Sequence, residues 1–170
     1  DLVTNTGAVG GGFDLNGTNQ SVTSLSGSGG LVQNGNATAA TLTVTGGTTT
    51  YGGVLQDGLG SLGLTYSGAG VLTLSGANVH TGTTAVSSGA LRASAANAFS
   101  ADSAVSLSGT GTLDVNDFSV TVSSLSGTAG TLKMGDDAGA GTVTAGGDID
   151  LTGVSVSFSG GGNDQIAAGG

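Results

Sequence analysis

The sequence predicts an all-β chain wound as a parallel β-helix, a solenoid in which each pass of the chain stacks on the one before. Three observations carry the prediction. First, FDLNGTNQSVTSLSGSGGLV at residues 13–32 returns 100 positions later, without a gap, as LDVNDFSVTVSSLSGTAGTL at residues 113–132. Self-similarity at a fixed period marks stacked architectures. Second, apolar residues alternate with polar ones between glycine-rich breaks, the period of two that belongs to strands. Third, the apolar side chains are small: there is no Trp, with four Phe and two Tyr. A narrow solenoid interior suits ladders of Leu, Val, Ala and Ser, whereas a hairpin-built sandwich, the competing all-β architecture, expects a bulkier core.

Composition supports the same class. Glu is absent, Lys and Arg are limited to Lys133 and Arg92, and Thr, Ser, Asn, Val and Gly dominate, which disfavours helix throughout. The 36 glycines raise disorder as an alternative. Patterned apolar residues argue against it, because disordered polar chains lack them. Proline is absent, as expected where nearly every strand is internal and each N–H is needed for pairing. With 170 residues and rungs of about 20–25, roughly seven rungs are expected.

The elements follow in order. The unit at 13–32 places apolar residues before and after Ser-Gly breaks. Leu42 with Val44, Leu62 with Leu64, and Leu72 with Leu74 each read as a short strand, as do Val105 with Leu107 and Leu113 with Val115. So do Val120 with Val122, and Val154 with Val156 and Phe158. Gly, Ser-Gly and Gly-Gly between them read as turns. Thr48-Thr49-Thr50-Tyr51 reads as a strand continuing into a rung in preference to an exposed patch. The glycine-rich ends, Gly7 to Gly12 and Gly160 to Gly170, read as flexible segments or cut points, so residues 1–170 form one segment of a longer rod. No apolar run approaches the roughly 20 residues of a membrane helix, and no signal peptide precedes Asp1, so the chain reads as a mature region or a piece of one.

One motif is specific to a family. Residues 65–92, TYSGAGVLTLSGANVHTGTTAVSSGALR, resemble the passenger-associated transport repeat of bacterial autotransporters. Gly68, Gly70, Leu72, Leu74, Ser75, Gly76, Asn78, Thr81, Gly82, Gly89 and Leu91 fall on its pattern, as do Thr83, Thr84 and Val86. His80 stands where the pattern carries an aromatic residue, and one glycine of its T-G-G-T-T step is missing. The flanks at 90–127 and the closing FSGGGNDQIAAGG are similar to stretches that follow the repeat. The resemblance implies a right-handed parallel β-helix in a secreted passenger, displayed at the bacterial cell surface, anchored to the outer membrane or released. Its partner in secretion is the outer-membrane β-barrel of its own precursor. Absence of cysteine fits a chain that must thread a narrow pore.

Candidate chemistry is sparse. His80 is the one histidine and reads as a turn or surface residue; with no Cys and no Glu, no metal or cofactor is expected. Carboxylate pairs able to cleave glycosidic bonds are Asp136–Asp137, Asp148 with Asp150, and Asp114 with Asp117. Asp is also a turn residue, and that reading is preferred. SGGGNDQIA at 159–167 nearly fits a calcium-binding nonapeptide, in a single copy with Ser159 breaking its first position. Two cations against eleven acidic residues, for a net charge of −9, argue against nucleic acid as a partner. The expected function is therefore a non-enzymatic stalk and adhesive scaffold that supports its own secretion and folding. Its possible partners are a host surface ligand or further copies of itself. The alternatives are a spine for an upstream effector and a carbohydrate-active β-helix enzyme.

Overall fold

The computed structural model describes residues 2–3 as backbone, then 11–135, 139–158 and 162–169. Strand β1 (Leu2–Val3) precedes the first complete turn, formed by β2 (Gly12–Asp14), β3 (Gln20–Val22) and β4 (Leu25–Ser26). The second turn is β5 (Leu31–Asn34), β6 (Ala40–Val44) and β7 (Thr49–Tyr51). The third is β8 (Val54–Asp57), β9 (Leu62–Tyr66) and β10 (Val71–Leu74). The fourth holds β11 (Thr84–Val86) and β12 (Ala90–Ala93), the fifth β13 (Ala104–Leu107) and β14 (Thr112–Asp114). Strands β15 (Ser119–Val122), β16 (Ser124–Gly127) and β17 (Thr131–Lys133) make the sixth. The seventh is β18 (Thr142–Ala145), β19 (Ile149–Asp150) and β20 (Ser155–Ser157), and β21 (Gln165–Ala168) opens the next. No helix occurs among the described residues.

Every strand pairing is parallel, which gives three long faces. The second face is a seven-stranded sheet from β3 to β19, and the third a six-stranded sheet from β7 to β20. The first face is split into β2-β5-β8 below and β15-β18-β21 above. On the second face Leu42, Leu64, Thr84, Val105, Leu125 and Ile149 stand one above another. Each turn thus uses roughly 20–24 residues, the expected rung length. On the third face the column is Leu72, Leu91, Leu113, Leu132 and Val156. These residues point inward because alternate strand positions face opposite sides, and all four leucines are fully buried. The stack was legible because strands with one buried face fix their register by hydrophobic pattern.

Two expectations need correction. Phe158 closes an alternating run in the sequence but is 59% exposed, since β20 ends at Ser157, the last residue paired with β17. Of the glycine-rich C-terminal end, residues 165–168 form β21, hydrogen-bonded in register to β18, and are not a loose tail. Likewise Gly12 already belongs to β2; Gly7–Gly10 and Gly160, Gly161 and Gly170 lie outside the described residues. The 48–51 stretch continues into a rung as read, with Tyr51 fully buried.

The two copies of the long repeat fold alike locally. Leu15 C=O accepts from Thr18 N–H (3.0 Å) and Val115 C=O from Phe118 N–H (2.9 Å). The central residues have positive φ, at Asn16 and Gly17 as at Asn116 and Asp117, which is a type I′ turn. Asp14 and Asp114 accept from the Asn16 and Asn116 N–H groups at 2.8 and 3.1 Å. Yet the first copy leaves the first face and the second leaves the third. The motif encodes a corner and is indifferent to which corner it makes.

Truncation of the central column should be costly. Leu113→Ala is expected to lower unfolding free energy by about 2–5 kcal/mol, because a close-packed interior refills poorly. Thr112→Ala, at the neighbouring outward position, should stay within about 0.5 kcal/mol. Urea denaturation of both variants measures the difference.

Candidate functional site

The first face is interrupted for two turns, and the buried polar residues Asn78, His80, Thr84, Ser100 and Ser103 gather there. Residues 75–80 still alternate, with Gly76, Asn78 and His80 buried and Ser75, Ala77 and Val79 exposed. They rest on β8 through the bridge Gln56–Val79. Side chains take over where the ladder stops. Asn78 Oδ1 accepts from Leu55 N–H (2.8 Å) and its Nδ2 donates to Ala98 C=O (2.6 Å). One amide therefore joins the third turn to the fifth. The segment 94–103 fills the gap above with Ala98 and Phe99, both buried.

His80 sits at the corner beside this staple. Its Nε2 is 2.9 Å from Thr84 Oγ1, which is 2.9 Å from Ser103 Oγ, which donates to Gly82 C=O (2.7 Å). A carbonyl only accepts, so Ser103 spends its proton on Gly82. Thr84 must then donate to Ser103, and His80 Nε2 must carry the hydrogen that Thr84 accepts. Nδ1 has no hydrogen-bond partner, although the Leu55 backbone is near enough to the ring to favour its charged form. Ser100 Oγ donates to His80 C=O (2.7 Å). The expectation of a turn or surface histidine is thus corrected: His80 is 0% exposed, because position 80 falls on the inward side of the 75–80 alternation. Burial pulls its pKa down to about 4, against the opposing pull of the Asp57 charge and the Leu55 backbone.

The same corner is polar in the turns below. Asn34, fully buried, accepts from Gly17 N–H (2.7 Å) and donates to the carbonyls of Thr38 (2.7 Å) and Ser61 (3.1 Å). Asp57 stands directly above it. Its carboxylate accepts from Leu62 N–H (2.8 Å), Thr81 N–H (3.1 Å) and Thr81 Oγ1 (2.6 Å). Burial pushes the Asp57 pKa up, but these three donors outweigh it and hold the carboxyl below its ordinary value. Asn34, Asp57, His80 and Ser100 form a polar seam along the rod.

Among the described residues, the remaining acidic candidates are placed as follows. Asp114 is almost fully buried on the outward side of the third face, 2.8 Å from Arg92 Nε and 3.5 Å from Lys133 Nζ. Both cations of the chain serve this one carboxylate. Asp117, in the turn after β14, lies at positive φ against Gly135 and Gly139. Asp148 and Asp150 share the exposed side of the second face. Thr152 occupies Asp150 through its side chain (2.6 Å) and N–H (3.0 Å), which lowers the Asp150 pKa. Asp164 accepts from Gly141 N–H (2.8 Å) and so bonds to the turn below. Asp136 and Asp137, and Ser159 to Gly161 of the nonapeptide-like stretch, lie outside the described residues.

The motif residues serve packing and pairing. Leu72, Leu74 and Leu91 are core, and Ser75 N–H donates to Tyr51 C=O (3.0 Å). A Cβ at Gly76 would press on the Gly53 carbonyl below, and Gly89 takes φ +60° directly over Gly68. Gly68, Gly70 and Gly82 likewise back onto the turn beneath. The ion cluster and buried Asn34 were missed from the sequence. Arg92, Asp114 and Lys133 lie one rung apart and become neighbours only through the register that stacks β12, β14 and β17.

Stacked parallel ladders joined by a polar seam define the chain as a β-solenoid of about seven turns. Residues 64–93 match the family model of the passenger-associated-transport-repeat, a repeat found in autotransporter passenger domains. Repeat and fold together fit a segment of such a passenger. No curated protein and no solved structure matches the chain significantly.

Three substitutions probe the Asn78 staple and the ion cluster. Asn78→Ala leaves Leu55 N–H and Ala98 C=O unpaired in the interior, and should cost about 2–5 kcal/mol. Asn78→Asp keeps the acceptor but loses the donor, so it should not restore stability. Arg92→Ala leaves a buried carboxylate with only Lys133 and the Asn116 N–H, and should cost about 3 kcal/mol, with little salt dependence. Chemical denaturation at low and high salt reads all three.

Proposed function

We propose that this chain is a non-enzymatic stalk segment of an autotransporter passenger, displayed at the bacterial cell surface. By stacking turn on turn outside the cell, it supports its own secretion and folding. The carrying observation is that the residues matching the transport repeat are those that join one turn to the next. Leu72, Leu74 and Leu91 fill the columns, and Asn78 ties the third turn to the fifth. Such contacts form only as successive turns emerge, so each completed turn opposes return of the chain. The partner this requires is the outer-membrane β-barrel of the precursor. A role as an adhesin would use the outward Ser and Thr columns, binding a host ligand or a second copy.

Leu74 lies between Tyr51 below and Ala93 above, in a strand paired on both sides. Leu74→Pro removes a donor and disturbs the ladder, so surface display of the full-length precursor should slow. Leu59→Ser, at an 80% exposed turn position, should leave display unchanged. Protease accessibility on intact cells measures both, and normal display of the proline variant argues against the secretion role. Cell adhesion and aggregation with this segment deleted separate the adhesin role. If adhesion persists without the segment, these residues do not bind.

A further inference from the structure

His80 is the chain's only histidine, and there is no cysteine, so it is the only side chain whose ordinary pKa lies between pH 5 and 8. It is fully buried at the one stretch of the described stack where a face lacks its strands. In place of a paired strand, the fourth and fifth turns are held to the third there by isolated backbone bonds, Val79 N–H on Leu55 C=O (2.9 Å) and Asn78 N–H on Asn97 C=O (3.0 Å), and by side chains: Asn78 on Leu55 and Ala98, Thr81 on Asp57, Ser100 on the His80 carbonyl. The hydroxyl chain through Thr84 and Ser103 uses the Nε2 hydrogen, leaving Nδ1 as the basic atom. A proton arriving at Nδ1 puts a charge into this interior. From β8 the facing ionised group is Asp57, already committed to three donors. From β11 and the 94–103 segment come the hydroxyls of Thr84, Ser100 and Ser103; Asp102 on that segment is exposed.

We propose that His80 is an acid-sensitive latch: protonating its ring opens the fourth and fifth turns at the interruption of the first face, while the fully laddered turns stay closed. The sign follows from linkage. Folded His80 titrates near 4 and an open chain near 6.5, so between those values the open state binds more protons. Closure is therefore complete above about pH 6.5, weakens as pH falls through that value, and loses nothing further from this group below about 4. The inference does not depend on the autotransporter reading.

Amide hydrogen exchange of the intact chain between pH 7 and 4.5 tests it. Protection at Leu55, Val79, Thr84 and Ala85 should fall on the order of 100-fold, tenfold for each pH unit below 6.5. Protection on β16 and β18 should hold once intrinsic rates are corrected. The His80 ring signal, unique in the spectrum, should titrate well below 6.5. In His80→Phe, which cannot take a proton, the pH dependence at the fourth turn should vanish. Unchanged protection in the wild-type chain, an equal loss in every turn, or a ring that titrates near 6.5 without exchange overturns the proposal, whether or not the variant folds.

Discussion

Everything in this structure depends on one requirement: each turn must satisfy the backbone hydrogen-bonding groups of the turns above and below it. Along the second and third faces parallel pairing meets this, strand on strand, at a spacing of about 4.8 Å. Where the chain leaves a sheet to round a corner, the requirement persists and the ladder does not. Asn34, Asp57 and Asn78 supply the missing donors and acceptors from side chains. Buried polar groups in a solenoid are thus local substitutes for strands. A carboxylate or amide of fixed reach does this only if the turns keep a constant offset, so the seam also enforces register.

Electrostatics obeys the same geometry. A chain with net charge −9 has few cations with which to neutralise itself, and both stand in one column around Asp114. Exposed Asp14 is engaged by the Gly35 N–H of the turn above and the Asn16 N–H of its own turn, which keep its pKa low. The surface away from the third face therefore remains anionic. That favours solubility of a long rod and disfavours contact between like surfaces.

Much of the fold was legible because it rests on alternation. Leu72 with Leu74, or Val120 with Val122, announces both a strand and its inward side. Stacking was legible from the recurrence of Asp-x-Asn turns. His80 misled because Ser75–His80 alternates in the opposite chemical sense, with polar groups inward at Asn78 and His80 and apolar Val79 outward. Hydrophobic patterning reads such a segment as a surface turn. The ion cluster was hidden for another reason. Its members lie one rung apart, and that neighbourhood exists only after the register is known.

The corner motif carries a geometric consequence. From Asp14 on the first face to Asp114 on the third, the repeated unit spans four turns and two further sides of the rod. A structure extended by copying that unit would not stack like on like. Each copy would start on the side preceding its predecessor's, and a third successive copying step would bring the pattern back to its original side. Whatever outward chemistry the unit bears would then trace a shallow screw around the shaft, presenting itself in every direction instead of along a single stripe.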